Sequence, residues 1–293
     1  MVVKSLVYGI YPRSERLRKA YNRWERGLVG NEEIRRTISE EKDRFYEYVK
    51  SVGISEFTDP LFNWHDIFRP IALSVSGVTL GPLKRYLETN TFYREPEISG
   101  HITLQRKLDT FDLLEENPPL PLFALAKGSS IFLPTPSSFY KMSSVKANIG
   151  AEELYKDLVN VYSDIIDIFK PRSLVLYEVF PYNGDNLSYL ESLNQKISVH
   201  LLTKGKISEK NFNGIKHKFE SIISDDHPEF LKNYAKYYGF KIIDVNKTKV
   251  EDPNADYGIE NYEDAIVTSN DYFDFLPREI ADIKVEVLGK VGE

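Results

Sequence analysis

Cysteine is absent from all 293 residues, and methionine and tryptophan occur twice each. The missing thiols exclude disulfides, thiolate zinc sites and a cysteine nucleophile. Long apolar runs are missing too. The longest apolar region, Pro70 to Leu83, is broken by Ser and Gly and falls short of the ~20 apolar residues a membrane helix needs. No basic segment followed by an apolar stretch opens the sequence, so a cytoplasmic protein without signal peptide or membrane contact is expected. The net charge of −6 argues against a general nucleic-acid binder, whose affinity comes from neutralising phosphates. Neither G-x-G-x-x-G nor G-x-x-x-x-G-K is present, and there is no nucleophile elbow and no H-E-x-x-H helix.

What is there alternates strand with helix. Strand-length apolar runs lie at Ser5–Ile10, Ile54–Thr58, Ile98–Leu104, Leu120–Ala126, Ser173–Val179, Ile197–Leu202, Phe219–Ile223, Lys241–Val245 and Ala265–Thr268. Asn31 is placed to cap a helix with Ile34, Ile38, Phe45, Val49 and Val52 on one stripe, ended by Gly53. Leu154, Leu158, Val161, Ile165 and Ile168 repeat at helical spacing ahead of Pro171. A helix is expected from Pro228 to Gly239 with Phe230, Leu231 and Tyr234 inward, and another opened by Pro277 with Ile280, Ile283 and Val287. This alternation implies a parallel sheet covered by helices. The length suits one α/β domain spanning 1–293, a (βα)8 TIM-type barrel with one extra or peripheral strand.

Four places could carry chemistry, given that barrel sites form at strand ends. Arg13, Arg16, Arg18 and Lys19 gather where the first strand becomes the first helix, a setting for an anionic ligand or a solvated basic face. Asp225, Asp226 and His227 follow a strand and could hold a metal, move a proton or cap the next helix. Glu178 and His200 lie near the ends of successive strands, as acid–base groups or as hydrogen-bonded core residues. The aromatic run from Trp64 to Pro70, after Asp59, could line a pocket or pack.

The run Gly9-Ile10-Tyr11-Pro12-Arg13, then Leu17-Arg18-Lys19-Ala20 and Trp24 ahead of Gly27, resembles the opening of cobalamin-independent methionine synthases. Those enzymes begin with a G-[FY]-P-R element and a basic helix. The stretch from Arg85 to Glu97 resembles the family's K-W-F-x-T-N-Y-x-Y-x-x-P-E, the most specific of the matches. Phe275-Leu276-Pro277-Arg278, with Ala281 and Lys284, resembles the L-P-R-x-x-A-x-x-K ending of related barrels.

The resemblance implies a barrel of the kind found twice in the family's large enzymes. In those, the C-terminal barrel binds zinc and homocysteine, and the N-terminal one helps bind the folate donor's polyglutamate tail. Some archaeal relatives encode the two as separate chains. Here the homocysteine serine of G-S-F-P is replaced by Ile10, and the D-E-P of strand five falls on Val179-Phe180-Pro181. The metal-binding H-x-C falls near Leu202-Thr203-Lys204 and the last cysteine near Tyr272, leaving only Asp225 as an echo of the zinc-ligating glutamate. One oxygen ligand cannot hold zinc and activate a thiol. The resemblance therefore points to an N-terminal-like, non-zinc barrel on an archaeal-type separate chain, serving a separately encoded zinc-binding core. Its expected ligand is a folate-like or other anionic methyl donor, with no tightly bound cofactor and no metal. Arg13, Arg16, Arg18, Lys19 and Arg85 would capture the donor, and Asp59, Trp64 and His101 would line its pocket. The alternatives are a stand-alone barrel enzyme using Glu178, His200 and Asp225, and a purely structural partner.

Overall fold

The computed structural model describes residues 2–105, 125–182 and 185–292. In chain order, β1 (Val2–Val7), α1 (Glu15–Glu25), α2 (Asn31–Ser51) and β2 (Glu56–Phe57) come first. Next are α3 (Arg69–Ala72), β3 (Val75–Arg85), β4 (Phe92–Leu104), β5 (Ile131–Pro134), α4 (Pro136–Lys141), β6 (Ser144–Val145) and α5 (Ala151–Phe169). Then follow β7 (Leu174–Pro181), α6 (Glu191–Lys196), β8 (Val199–Lys204), β9 (Phe219–Ile223), β10 (Ala235–Ile243), β11 (Asp264–Ser269) and α7 (Arg278–Val291). The fold is mixed α/β. Its eight-stranded sheet has the order β2-β1-β11-β10-β9-β8-β7-β5. The β1–β2, β1–β11, β5–β7, β7–β8 and β8–β9 pairs are parallel, as crossover helices require. No helix among the described residues is long and apolar enough to cross a membrane.

The chain divides into two units. Unit one comprises Met1–Trp64, Asp109–Ser130 and Gly239–Glu293. It buries Leu6 and Val7 of β1, Ile34, Ile38, Phe45 and Val49 of α2, and Ala265–Val267 of β11. Gly30 takes the cap position of α2, and Asn31 is its first residue, because the Asn31 side chain is engaged by the Trp24 indole at 2.8 Å. The buried residues of α7 include Ala281, Lys284, Val285, Val287 and Leu288, so Val287 is inward as expected, whereas the helix turns Ile283 to solvent. That rotation follows a close backbone approach: a Cβ on Gly289 would lie 1.8 Å from the Val52 carbonyl oxygen. Lys284 is fully buried and donates to the Asp244 carbonyl at 2.9 Å and to the Glu251 carboxylate at 2.8 and 3.0 Å.

Unit two comprises His65–Leu108 and Ile131–Tyr238. The run expected as a strand at 98–104 belongs to β4, which pairs antiparallel with β3 in a separate three-stranded sheet. Gly77 marks a register shift there. Its φ is +74°, and a Cβ would sit 2.2 Å from the His101 carbonyl oxygen. The run expected at 120–126 lies mostly outside the described residues. An unexpected strand, β5, follows it. The helix expected from Pro228 to Gly239 is a short 3-10 turn, Glu229–Asn233, running into β10. The Tyr234 carbonyl accepts from the Phe219 amide, and alternate Tyr, Phe and Ile residues favour an extended backbone. In α5 the expected stripe is buried as far as Ile165, and Ile168 is exposed just before the left-handed turn at Lys170.

Candidate functional site

In unit one the segment after β1 is tied to the segment after β2. The Gly9 amide donates to Thr58 Oγ1 at 2.9 Å, and the Tyr11 amide to the Pro60 carbonyl at 3.0 Å. Arg13 donates Nε to the Phe62 carbonyl at 2.8 Å and Nη2 to the Trp64 carbonyl at 3.2 Å, with its guanidinium 4.1 Å from the Tyr21 ring centroid. This cation serves the backbone. Asp59 is buried: Oδ1 accepts from Lys42 Nζ and the Leu61 amide, both at 2.9 Å, and Oδ2 from the Ala126 amide at 2.7 Å. Trp64 is buried as well.

Ser14 caps α1 by accepting from the Leu17 amide at 3.1 Å. A cleft of about 610 Å³ runs along α1 and α2, lined by Arg16, Lys19, Arg23 and Arg36 and by Glu15, Glu33 and Glu40. Arg16 pairs with Glu40 and, at 3.4 Å, with Glu41. Lys19 pairs with Glu15 at 2.7 Å and Arg23 with Glu33 at 3.3 Å. Four cations therefore meet three carboxylates on the cleft wall. Glu41 is buried, but the pairs with Glu15, Glu33 and Glu40 are exposed and each of little worth, so an anion could replace one of these glutamates at small cost. The Arg16 hydrogen bond holds the Glu40 carboxyl below its ordinary pKa. Arg18 is exposed and lies outside this wall.

In unit two, Arg85 closes the end of the β3–β4 hairpin by donating to the Thr89 carbonyl and, at 3.3 Å, to Asn90 Oδ1. His101 is exposed on β4 with Nδ1 2.9 Å from Asp157 on α5. Asp225 accepts from the Gly205 amide at 2.6 Å. His200 is buried with Nδ1 2.8 Å from Ser221 Oγ. In the β7–β8 register His200 pairs with Val175, so it shares a face with Val175 and Tyr177. Side chains alternate along a strand, so Glu178 takes the opposite face. The structure thus does not bring Glu178 and His200 together. Among the described residues no three His, Cys, Asp or Glu side chains form a metal-binding group.

Glu178 faces α4. Its Oε2 accepts from Thr135 Oγ1 at 2.6 Å and its Oε1 from Ser138 Oγ at 2.5 Å. Thr135 also caps α4, accepting from the Ser138 amide at 3.1 Å, and Ser138 Oγ accepts from the Val179 amide at 2.8 Å. Burial pushes the Glu178 carboxyl above its ordinary pKa, against the pull of these hydroxyls and of Lys141. The Tyr182 hydroxyl is buried beside it, and burial together with the neighbouring Glu178 carboxylate pushes its pKa well up. Lys141 pairs with Asp185 at 2.6 Å. This node can retain a proton or staple α4 to β7. Thr135, Ser138, Lys141, Asp185 and Tyr182 were missed in the sequence. A signal existed: Ile131-Phe132-Leu133 followed by Thr135 and Pro136 reads as a strand, a cap and a first helical proline.

No known family profile matches the chain, and no curated protein does. Solved structures do. The B12-independent methionine synthase from Shewanella sp. W3-18-1, in complex with selenomethionine, aligns over 100% of this chain and 97% of its own, with a TM-score of 0.72 and 13% identity. A putative vitamin-B12-independent methionine synthase from Listeria monocytogenes aligns over 98% of this chain and 95% of its own, with a TM-score of 0.66 and 15% identity. At such identities the likeness establishes a shared fold.

Proposed function

We propose that this chain is a methionine-synthase-related (βα)8 barrel without a zinc centre, an accessory to a separately encoded zinc-binding core that transfers methyl groups to homocysteine. One observation carries the reading: the fold matches a methionine synthase chain almost end to end, yet the sequence has no cysteine to supply thiolate ligands. In this reading the protein is a cytoplasmic, archaeal-type separate chain with no tightly bound cofactor. The α1–α2 cleft holds a folate-like or other anionic methyl donor, with Arg16, Lys19, Arg23 and Arg36 supplying the attraction. Arg13 and Asp59 act one step back, fixing the segments that carry the cleft. The rival acid–base reading gains no support, since Glu178 and His200 take opposite faces.

The test is reconstitution with a zinc-binding methionine synthase core. The two chains are expected to co-purify, and the core's methyl transfer is expected to rise severalfold when this chain is added. Arg16→Glu with Arg23→Glu should raise the KM for the donor with little change in kcat, an effect that shrinks as salt is added. A core that transfers methyl groups equally well alone sinks the accessory role.

A further inference from the structure

A second cleft lies wholly in unit two, between the start of α5 and the segment after β7, with a volume of about 530 Å³. That falls within the ~300–1,000 Å³ typical of small-molecule sites. Tyr155 of α5 and Tyr189 of the 3-10 turn Ser188–Leu190 line it, their ring centroids 4.9 Å apart and the planes tilted by 45°. Tyr140 meets Tyr155 edge-on at 5.8 Å from the other side, which holds that ring in place.

The polar part of the wall is fixed in advance. The Asp185 carbonyl accepts from Asn211 Nδ2 at 2.9 Å, and the Leu187 amide donates to the Asn211 carbonyl at 2.7 Å. Asn186 Oδ1 accepts from the Ser188 amide at 2.8 Å, which leaves its amide nitrogen to donate. Asp185 Oδ2 takes Lys141 and Ser137, and Oδ1 makes no hydrogen bond among the described residues. The cleft therefore offers an acceptor at Asp185, a donor at Asn186 and a hydroxyl at Ser188, all beside two aromatic rings.

Charge discriminates among ligands. Glu152 and Lys156 stand one turn apart on α5, and Asp185 is matched by Lys141. The lining itself holds two carboxylates and one lysine, and the ion pair that Lys141 makes with Asp185 from outside the lining brings the balance to neutral. Neither an anion nor a cation is drawn in. Aromatic faces are electron-rich and take up C–H groups carrying partial positive charge, and the donor–acceptor set suits hydroxyls. We infer that this cleft binds a neutral, polyhydroxylated ring of the sugar or cyclitol class, with Tyr155 and Tyr189 as the platform and Asp185, Asn186 and Ser188 reading the hydroxyls.

Saturation-transfer NMR on the intact protein tests this with D-glucose, D-ribose and myo-inositol as neutral rings, glucosamine as a cation and gluconate as an anion. At least one neutral ring should bind saturably in the millimolar range or tighter. Asp185→Asn should weaken it at least about fivefold, the equivalent of one net hydrogen bond, and Tyr155→Leu should abolish the signal. Ser188→Ala, at an exposed position, is the milder variant should either of the others lower the melting temperature. Absence of saturable binding by all three neutral rings overturns the inference. So does preferential binding of glucosamine or gluconate, or unchanged affinity in folded variants. Methyl transfer does not enter the readout, so this result stands apart from the accessory role.

Discussion

Lys42 and Glu178 are ionisable side chains with almost no exposed surface, each held by a different chemistry. Lys42 meets a full opposite charge, Asp59, at 2.9 Å in the core of unit one. Lys42→Ala leaves that carboxylate buried with only backbone amides, and a loss of about 3–5 kcal/mol is expected in urea unfolding. A loss below about 1 kcal/mol would rank the pair with surface bridges. Glu178 has hydroxyls, the Phe180 backbone amide and a more distant lysine but no close cation, so burial prevails and its carboxyl lies above the ordinary range. The folded chain then binds this proton at pH values where the unfolded chain has released it. Through that window stability falls as pH rises, and above the folded pKa the contribution is constant. Glu178→Gln removes the slope. The stability of the parent relative to the variant should decline from acid toward neutral pH, and a pH-independent difference would refute the argument.

At the scale of elements, α7 gives the sharpest forecast. Helix propensity alone ranks alanine about 1 kcal/mol above glycine in a helix interior. At Gly289 the new methyl would meet the Val52 carbonyl at 1.8 Å, and backbone yields less readily than a side chain. Gly289→Ala should therefore lower stability, by about 1–3 kcal/mol on the usual scale of overpacking, read as a drop in melting temperature. A rise would mean that α7 shifts freely. The same helix shows why its sequence was only partly legible. The spacing located it, its opening at Pro277 and the buried Val287, but it missed that Ile283 faces solvent, because Gly289 packs on a residue more than two hundred positions away. α2 and α5 were read closely because their apolar stripes run for several turns. The start of β10 was misread because Phe230, Leu231 and Tyr234 fit helical spacing, while Tyr234 actually stacks on Phe212 at 4.9 Å.

Across the whole molecule, strand–helix alternation and three patchy motifs pointed to a fold that the solved neighbours share at 13–15% identity. The candidate site was less legible. Sequence placed the cations but not their partners: Arg13 bonds carbonyls some fifty positions on, and Arg16 finds its glutamate on the next helix. The Thr135–Ser138–Glu178 node depended on a strand that went unrecognised. Lys284, the lysine of the L-P-R-x-x-A-x-x-K ending, has no exposed side-chain surface and all three ammonium hydrogens engaged. An amine-reactive label can reach it only when α7 lifts away. Its acylation, followed by peptide mass spectrometry, should lag behind every exposed lysine and serve as a clock for the opening of unit one.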